Sequence, residues 1–132
     1  MENIKVLVID DSTTMRRIVK NVVSQIGINK ENILEGEDGV QGMEEFNKAF
    51  NSDKPIDVVL CDINMPNMNG FEVVENIRKI DKKVFISMIT TEGGKTEVIR
   101  ALKLGSNQYI VKPFNAETLK EKLSPIIEKI QG

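Results

Sequence analysis

Two apolar patterns alternate along this chain: short continuous runs and longer stretches with helical spacing. Lys5–Ile9 (KVLVI) is a continuous run rich in Val and Ile and reads as a buried strand. Met15, Ile18, Val19, Val22, Val23 and Ile26 then recur at the spacing of one helix face, with Ser12 or Thr13 as cap and Gly27 as terminator. A short strand at Ile33–Leu34 precedes a helix carrying Val40, Met43, Phe46 and Phe50. After Pro55 comes the run Val58–Cys61, and Gly70 introduces a helix with Val73, Val74, Ile77 and Ile80 on one side. Val84–Ile89 is a fourth strand, followed by a helix marked by Val98, Ala101 and Leu102 and closed by Gly105. Gln108–Val111 is a fifth strand, and Leu119, Leu123, Ile126, Ile127 and Ile130 trace a last helix.

The order is therefore a βα unit repeated five times. Such alternation needs crossover helices, which predicts an α/β fold with a doubly wound parallel sheet covered on both faces. In such folds the site lies beyond the carboxyl ends of the strands, so the residues directly after each strand are the ones to inspect.

Composition narrows the chemistry. With 132 residues the chain fits a single domain, 1–132, able to fold without a disulfide or metal staple. A lone cysteine, Cys61, forms no internal disulfide and points to a reducing, cytoplasmic setting. The N-terminus MENIKVLVIDD lacks the basic start and long apolar stretch of a signal peptide, and no apolar run is long enough for a membrane span. A net charge of −2 without a basic tail gives no reason to bind nucleic acid. There is no histidine, which removes histidine triads, histidine acid–base catalysis and nearly all zinc sites. Chemistry here falls to carboxylates, hydroxyls and lysines.

Those groups sit at the strand ends. Strand one runs into Asp10 and Asp11, strand three into Asp62, strand four into Thr90 and Thr91, and strand five into Lys112. Singly, each has a structural reading: a helix cap, a turn aspartate, a strand threonine, a surface lysine. Together they bring three carboxylates, a hydroxyl and an ammonium to one sheet edge, where the carboxylates repel unless a cation or proton compensates. All-oxygen ligands suit a hard cation, and two carboxylates plus water and phosphate suit Mg²⁺ better than Ca²⁺. A carboxylate beside such a metal can act as a nucleophile and form an aspartyl-phosphate. Lys112 would then add positive charge and Thr90 a hydroxyl donor for phosphoryl oxygens.

The segments VLVIDDSTTMRRIV, CDINMPNMNG, SMITTEGGK and YIVKPF resemble the signatures of response-regulator receiver domains, and the resemblance covers nearly the whole chain. STTMRRIVKN, EDG, INMPNMNG and TLKEKL are similar to the chemotaxis members of that family. The resemblance implies the flavodoxin-like strand order 2-1-3-4-5. It implies Asp62 as phosphoacceptor, with Mg²⁺ on Asp11, Asp62 and the main-chain carbonyl of Asn64, and Asp10 acting through water. Thr90 and Lys112 would contact the phosphoryl group, and the Lys112–Pro113 bond would be cis. Asn64 and Glu92 would tune hydrolysis. Tyr109, the only tyrosine, would couple to the Thr90 hydroxyl as a switch, acting on a face formed by the fourth helix, fifth strand and fifth helix. On that face Val98, Leu102, Tyr109, Val111 and Lys122 are the candidate contacts. The implied partners are a chemotaxis-type histidine kinase, a flagellar motor switch protein and a phosphatase. The protein would act as a cytoplasmic monomer, not an enzyme but a phospho-acceptor switch that catalyses only its own phosphorylation and dephosphorylation.

Other readings fit less well. A haloacid-dehalogenase-type phosphatase needs DxD where this chain has Asp10–Asp11–Ser12, and a flavodoxin needs a phosphate loop that is absent. A DNA-binding regulator needs a helix-turn-helix beyond the last helix. Gly93–Lys95 lacks the upstream glycine of a P-loop. Arg16 and Arg17 read as a solvated helix face, and the methionines and Cys61 as core filler. Three features depart from the family pattern. Thr91 stands where Ala or Gly is usual, which would crowd the phosphoryl pocket. The segment containing NSDKP lengthens the second helix and its exit loop. Pro125 lies within the last helix and predicts a kink or early break there.

Overall fold

The computed structural model describes residues 4–131; the ends of the expected domain, Met1–Asn3 and Gly132, lie outside the described residues. The elements are β1 Val6–Ile9, α1 Thr13–Ile26, β2 Ile33–Gly36, α2 Gly39–Phe50, β3 Val58–Cys61, α3 Gly70–Ile80, β4 Phe85–Thr90, α4 Lys95–Leu104, β5 Gln108–Val111 and α5 Ala116–Gln131. A 3₁₀ turn, Lys30–Asn32, leads into β2. All strand pairings are parallel, in the order β2-β1-β3-β4-β5.

Alternation along the strands divides the core in two. Leu7 and Ile9 of β1 pack with Met43, Phe46, Val73, Val74, Ile77 and Ala101 beneath α2, α3 and α4. Val6 and Val8 point the other way, onto Val19, Val22 and Val23 of α1 and Leu119, Leu123 and Ile127 of α5. Strands β1 and β3, buried along their whole length, are the continuous apolar runs of the sequence.

Local chemistry sets the helix ends. The Ser12 side chain accepts from the Met15 N–H at the start of α1, and Gly27 closes that helix at φ 119°, a left-handed conformation that favours glycine. Asn69 and Glu72 form a reciprocal capping box at the start of α3.

Several helix positions depart from the predicted faces. Ile18, Val40, Phe50, Ile80, Leu102 and Ile130 are exposed. They border apolar stripes wider than the strip each helix buries, and in α4 Ala101 alone is buried. Strand β2 runs past Leu34 to Gly36, which pairs with Ile9, and β4 is displaced by one residue from Val84–Ile89. The early break at Pro125 does not occur: α5 continues to Gln131. Leu123 and Ile127 are buried on either side of the proline, so packing outweighs the lost main-chain bond. Pro125 itself is exposed, so Pro125→Ala restores a donor for the Glu121 carbonyl without losing core contacts. It is expected to raise stability by about 1–3 kcal/mol, read as a higher urea midpoint. An unchanged or lower midpoint contradicts this view of the helix.

Candidate functional site

The sheet's hydrogen bonding runs beyond the strands and thereby places the site. Ile9 pairs with Cys61, and the next residues follow in register. The Asp62 N–H donates to the Ile9 carbonyl at 2.9 Å, the Asp10 N–H to the Gly36 carbonyl at 3.1 Å, and the Lys112 N–H to the Thr90 carbonyl at 2.7 Å. Asp10 and Asp62 therefore leave the adjacent strands β1 and β3 at one level, and Lys112 reaches them from the end of β5, beyond β4. The Lys112–Pro113 peptide is cis.

Carboxylate oxygens of Asp10, Asp11 and Asp62 lie within 4.8 Å of one another. Asp10 and Asp62 are buried, while Asp11 is exposed at the rim. The Lys112 ammonium lies between the two buried acids, 2.9 Å from Asp10 Oδ2 and 3.3 Å from Asp62 Oδ2. The other oxygen of each acid accepts a main-chain N–H: Asp10 Oδ1 from Ser12 at 2.9 Å and Asp62 Oδ1 from Ile63 at 2.7 Å. Burial pushes the Asp10 carboxyl up; the Ser12 N–H and Lys112 oppose that rise and the nearby Asp62 charge adds to it. Burial, then Asp62 and Asp10, raises the Cys61 thiol well above its usual range, so it stays a protonated core group. Gly70 holds α3 close beneath: a Cβ there would meet the Asp62 carbonyl oxygen at 2.2 Å.

Thr90 is fully buried, and its hydroxyl accepts the Glu92 N–H at 3.2 Å. The Tyr109 hydroxyl donates to the Glu92 carbonyl rather than to Thr90. Asn64, exposed on the opposite loop, donates its side-chain amide to the Glu92 carboxylate. Thr90, Tyr109 and Asn64 thus meet on one residue, Glu92. Burial, with Glu92, Glu97 and Asp62 adding to it, raises the Tyr109 phenol to about 12, so it remains a donor at neutral pH. Thr91 is exposed.

A family model described as the response regulator receiver domain matches residues 6–124. The chain belongs to the response regulator receiver family. This receiver domain is 50% identical over 125 residues to the chemotaxis protein CheY1 of Helicobacter pylori, covering 93% of this chain and 96% of that protein. It is 48% identical to a CheY homolog of Campylobacter jejuni, covering 93% and 92%. Among solved structures, CheY in the CheX–CheY–BeF3–Mg²⁺ complex of Borrelia burgdorferi superposes with a TM-score of 0.85 at 27% identity, covering 94% of this chain and 89% of that one.

Of the receiver's expected output contacts, Tyr109, Val111 and Lys122 line a groove of about 610 Å³ between β5 and α5. Leu102 and Val111 are exposed at 46% and 43%, and Val98 is half-buried. Arg16 is not a solvated side chain: the side chain is 11% exposed, and its guanidinium donates to the Asp10 carbonyl at 2.6 Å and to Glu35 at 3.1 Å. Arg17, the next residue, is exposed as its sequence reading expects.

The Asp10 shift carries a sign. A folded carboxyl above its ordinary value of 3.8 costs nothing below that pH, and its penalty grows as pH rises through the folded value and then stays. Metal-free Asp10→Asn is therefore expected to melt above wild type at pH 7, with the gap closing toward pH 4. A variant that melts lower at pH 7 in chelator contradicts the reading of the acid pocket.

Proposed function

We propose that this receiver is a chemotaxis response regulator that accepts a phosphoryl group on Asp62 from a histidine kinase and changes its α4–β5–α5 surface to bind a target. The observation that carries the reading is the placement of Asp62 against Lys112, beside two further carboxylates, at the switch point of the sheet. The match covers nearly the full length of relatives named as chemotaxis proteins, which supports the chemotaxis reading.

The three carboxylates fit a hard divalent cation: the donors are all oxygen, they converge within 4.8 Å, and Asp11 leaves the cluster open to solvent. Asp11, Asp62 and the main-chain carbonyl of Asn64 would hold Mg²⁺, with Asp10 acting through water. Bound there, Mg²⁺ would neutralise charge on the transferring phosphoryl group.

This chain's own residues do the rest. The Ile63 N–H fixes Asp62 Oδ1 and turns Oδ2 toward Lys112. The Asp62 oxygen on the Lys112 side attacks phosphorus, a P–O bond forms, and the bond to the donor's imidazole nitrogen breaks. The Lys112 ammonium, then needed by the phosphoryl oxygens, gives up part of its hold on Asp62. The Thr90 hydroxyl accepts the Glu92 N–H, which leaves its proton free to be donated to a phosphoryl oxygen. Drawing Thr90 inward pulls on Glu92, and through the Glu92 carbonyl on Tyr109, which carries the local charge event to the output face. Asn64 and Glu92, bonded to each other over the pocket, set water access and so tune hydrolysis. Transfer and hydrolysis on its own aspartate are the only reactions in this scheme; the protein is a signalling switch rather than an enzyme with an external substrate. The target of the exposed Leu102, Val111 and Lys122 surface is the flagellar motor switch, and a phosphatase is a further partner, as the CheX-bound Borrelia relative suggests.

Incubation with acetyl phosphate and Mg²⁺ is expected to label wild type, and Asp62→Asn is expected to lose the label. A variant that labels as well as wild type removes Asp62 as acceptor. Mg²⁺ at about 100 times its Kd is expected to add about 2.7 kcal/mol of stability, seen as a higher melting temperature; an unchanged one contradicts the metal assignment.

A further inference from the structure

We propose that Arg16 is a positioning residue for the acidic pair, holding the Asp10–Asp11 peptide so that both carboxylates face the pocket; this rests on the Mg²⁺-dependent receiver reading above. Asp11 makes no hydrogen bond or ion pair of its own among the described residues, yet its carboxylate joins the three-acid cluster. Its placement is therefore inherited from its main chain. The Asp10 side is pinned from the sheet by its N–H on the Gly36 carbonyl. On the Asp11 side, the carbonyl of the shared peptide is gripped by Arg16 Nη1 at 2.6 Å.

The guanidinium is itself tethered. Its Nε donates to Glu35 Oε1 at 3.1 Å, and the other Glu35 oxygen accepts from Lys20 at 2.8 Å. Glu35 belongs to β2, the neighbour of β1, so Arg16 ties the acidic turn, the edge strand and α1 into one unit. A planar fork can hold a carbonyl and a carboxylate in fixed directions at once, which a lysine ammonium cannot reproduce.

Electrostatics and positioning make opposite predictions here. A cation beside a Mg²⁺ site weakens metal binding, so its removal should tighten binding if charge alone matters. Loss of a group that orients the ligands should weaken it, on the order of tenfold or more.

The test is calorimetric Mg²⁺ titration of the unphosphorylated protein, with metal-free melting measured in parallel. Arg16→Gln is expected to bind Mg²⁺ about tenfold more weakly. Arg16→Lys, with its charge kept, should also be weakened, and serves if the Gln variant does not fold. Glu35→Gln should move Kd in the same direction, while Arg17→Gln, an exposed neighbour, should match wild type or bind slightly tighter. Arg16 variants with a lower metal-free melting temperature but an unchanged or tighter Kd make Arg16 merely structural and overturn the proposal. Wild type that binds no Mg²⁺ overturns the underlying receiver reading and this proposal with it, a result visible before any variant is compared.

Discussion

One ammonium group, that of Lys112, lies between two buried carboxylates at the carboxyl end of a parallel sheet, and the rest of the molecule is arranged around that constraint. Carboxylates placed this close repel unless positive charge separates them, and burial makes the charged form of Asp10 costlier still. A domain whose sole task was stability would not gather three acids in one place. The fold tolerates them because each buried acid has a defined partner for both oxygens, one a main-chain N–H and the other Lys112. A pocket satisfied in this way is ordered and responsive: any ligand that competes for the lysine or neutralises the acids redistributes bonds that are already formed.

A short chain of hydrogen bonds connects the end of β4 to β5. Thr90 ends β4 and Tyr109 lies on the neighbouring strand, and the main chain of Glu92 joins their hydroxyls through its N–H and its carbonyl. The link is two hydrogen bonds across one residue. Leu102 and Val111, apolar and exposed, lie on the face that the receiver reading assigns to a partner.

Much of this was legible in one dimension. Strands β1 and β3 follow from continuous apolar runs, and reading the residues after β1, β3 and β5 pointed to Asp10, Asp11, Asp62 and Lys112, which the fold brings together; Thr90, read as following the fourth strand, is its last residue. Helix faces were less legible. Leu102 and Val111 have the composition of core residues, and a surface built to meet a partner carries the same apolar signal as one built to pack. Pro125 shows the opposite failure, a strong local breaker overruled by Leu123 and Ile127 on either side. Arg16 was hidden because charge on a helix usually means solvent; its burial depends on β2 bringing Glu35 alongside, a contact between elements that periodicity does not encode. The partner of Tyr109 depends on the path of the loop after β4 and is equally invisible to spacing.

The proposal turns on Asp62, among the three clustered acids, as the group that receives phosphate. Borohydride reduction after exposure to acetyl phosphate and Mg²⁺ converts an aspartyl-phosphate to homoserine, and peptide mass spectrometry locates it. The account predicts homoserine at position 62 and unmodified aspartate at 10 and 11. Homoserine at either of those two positions, or at none of the three, would contradict it.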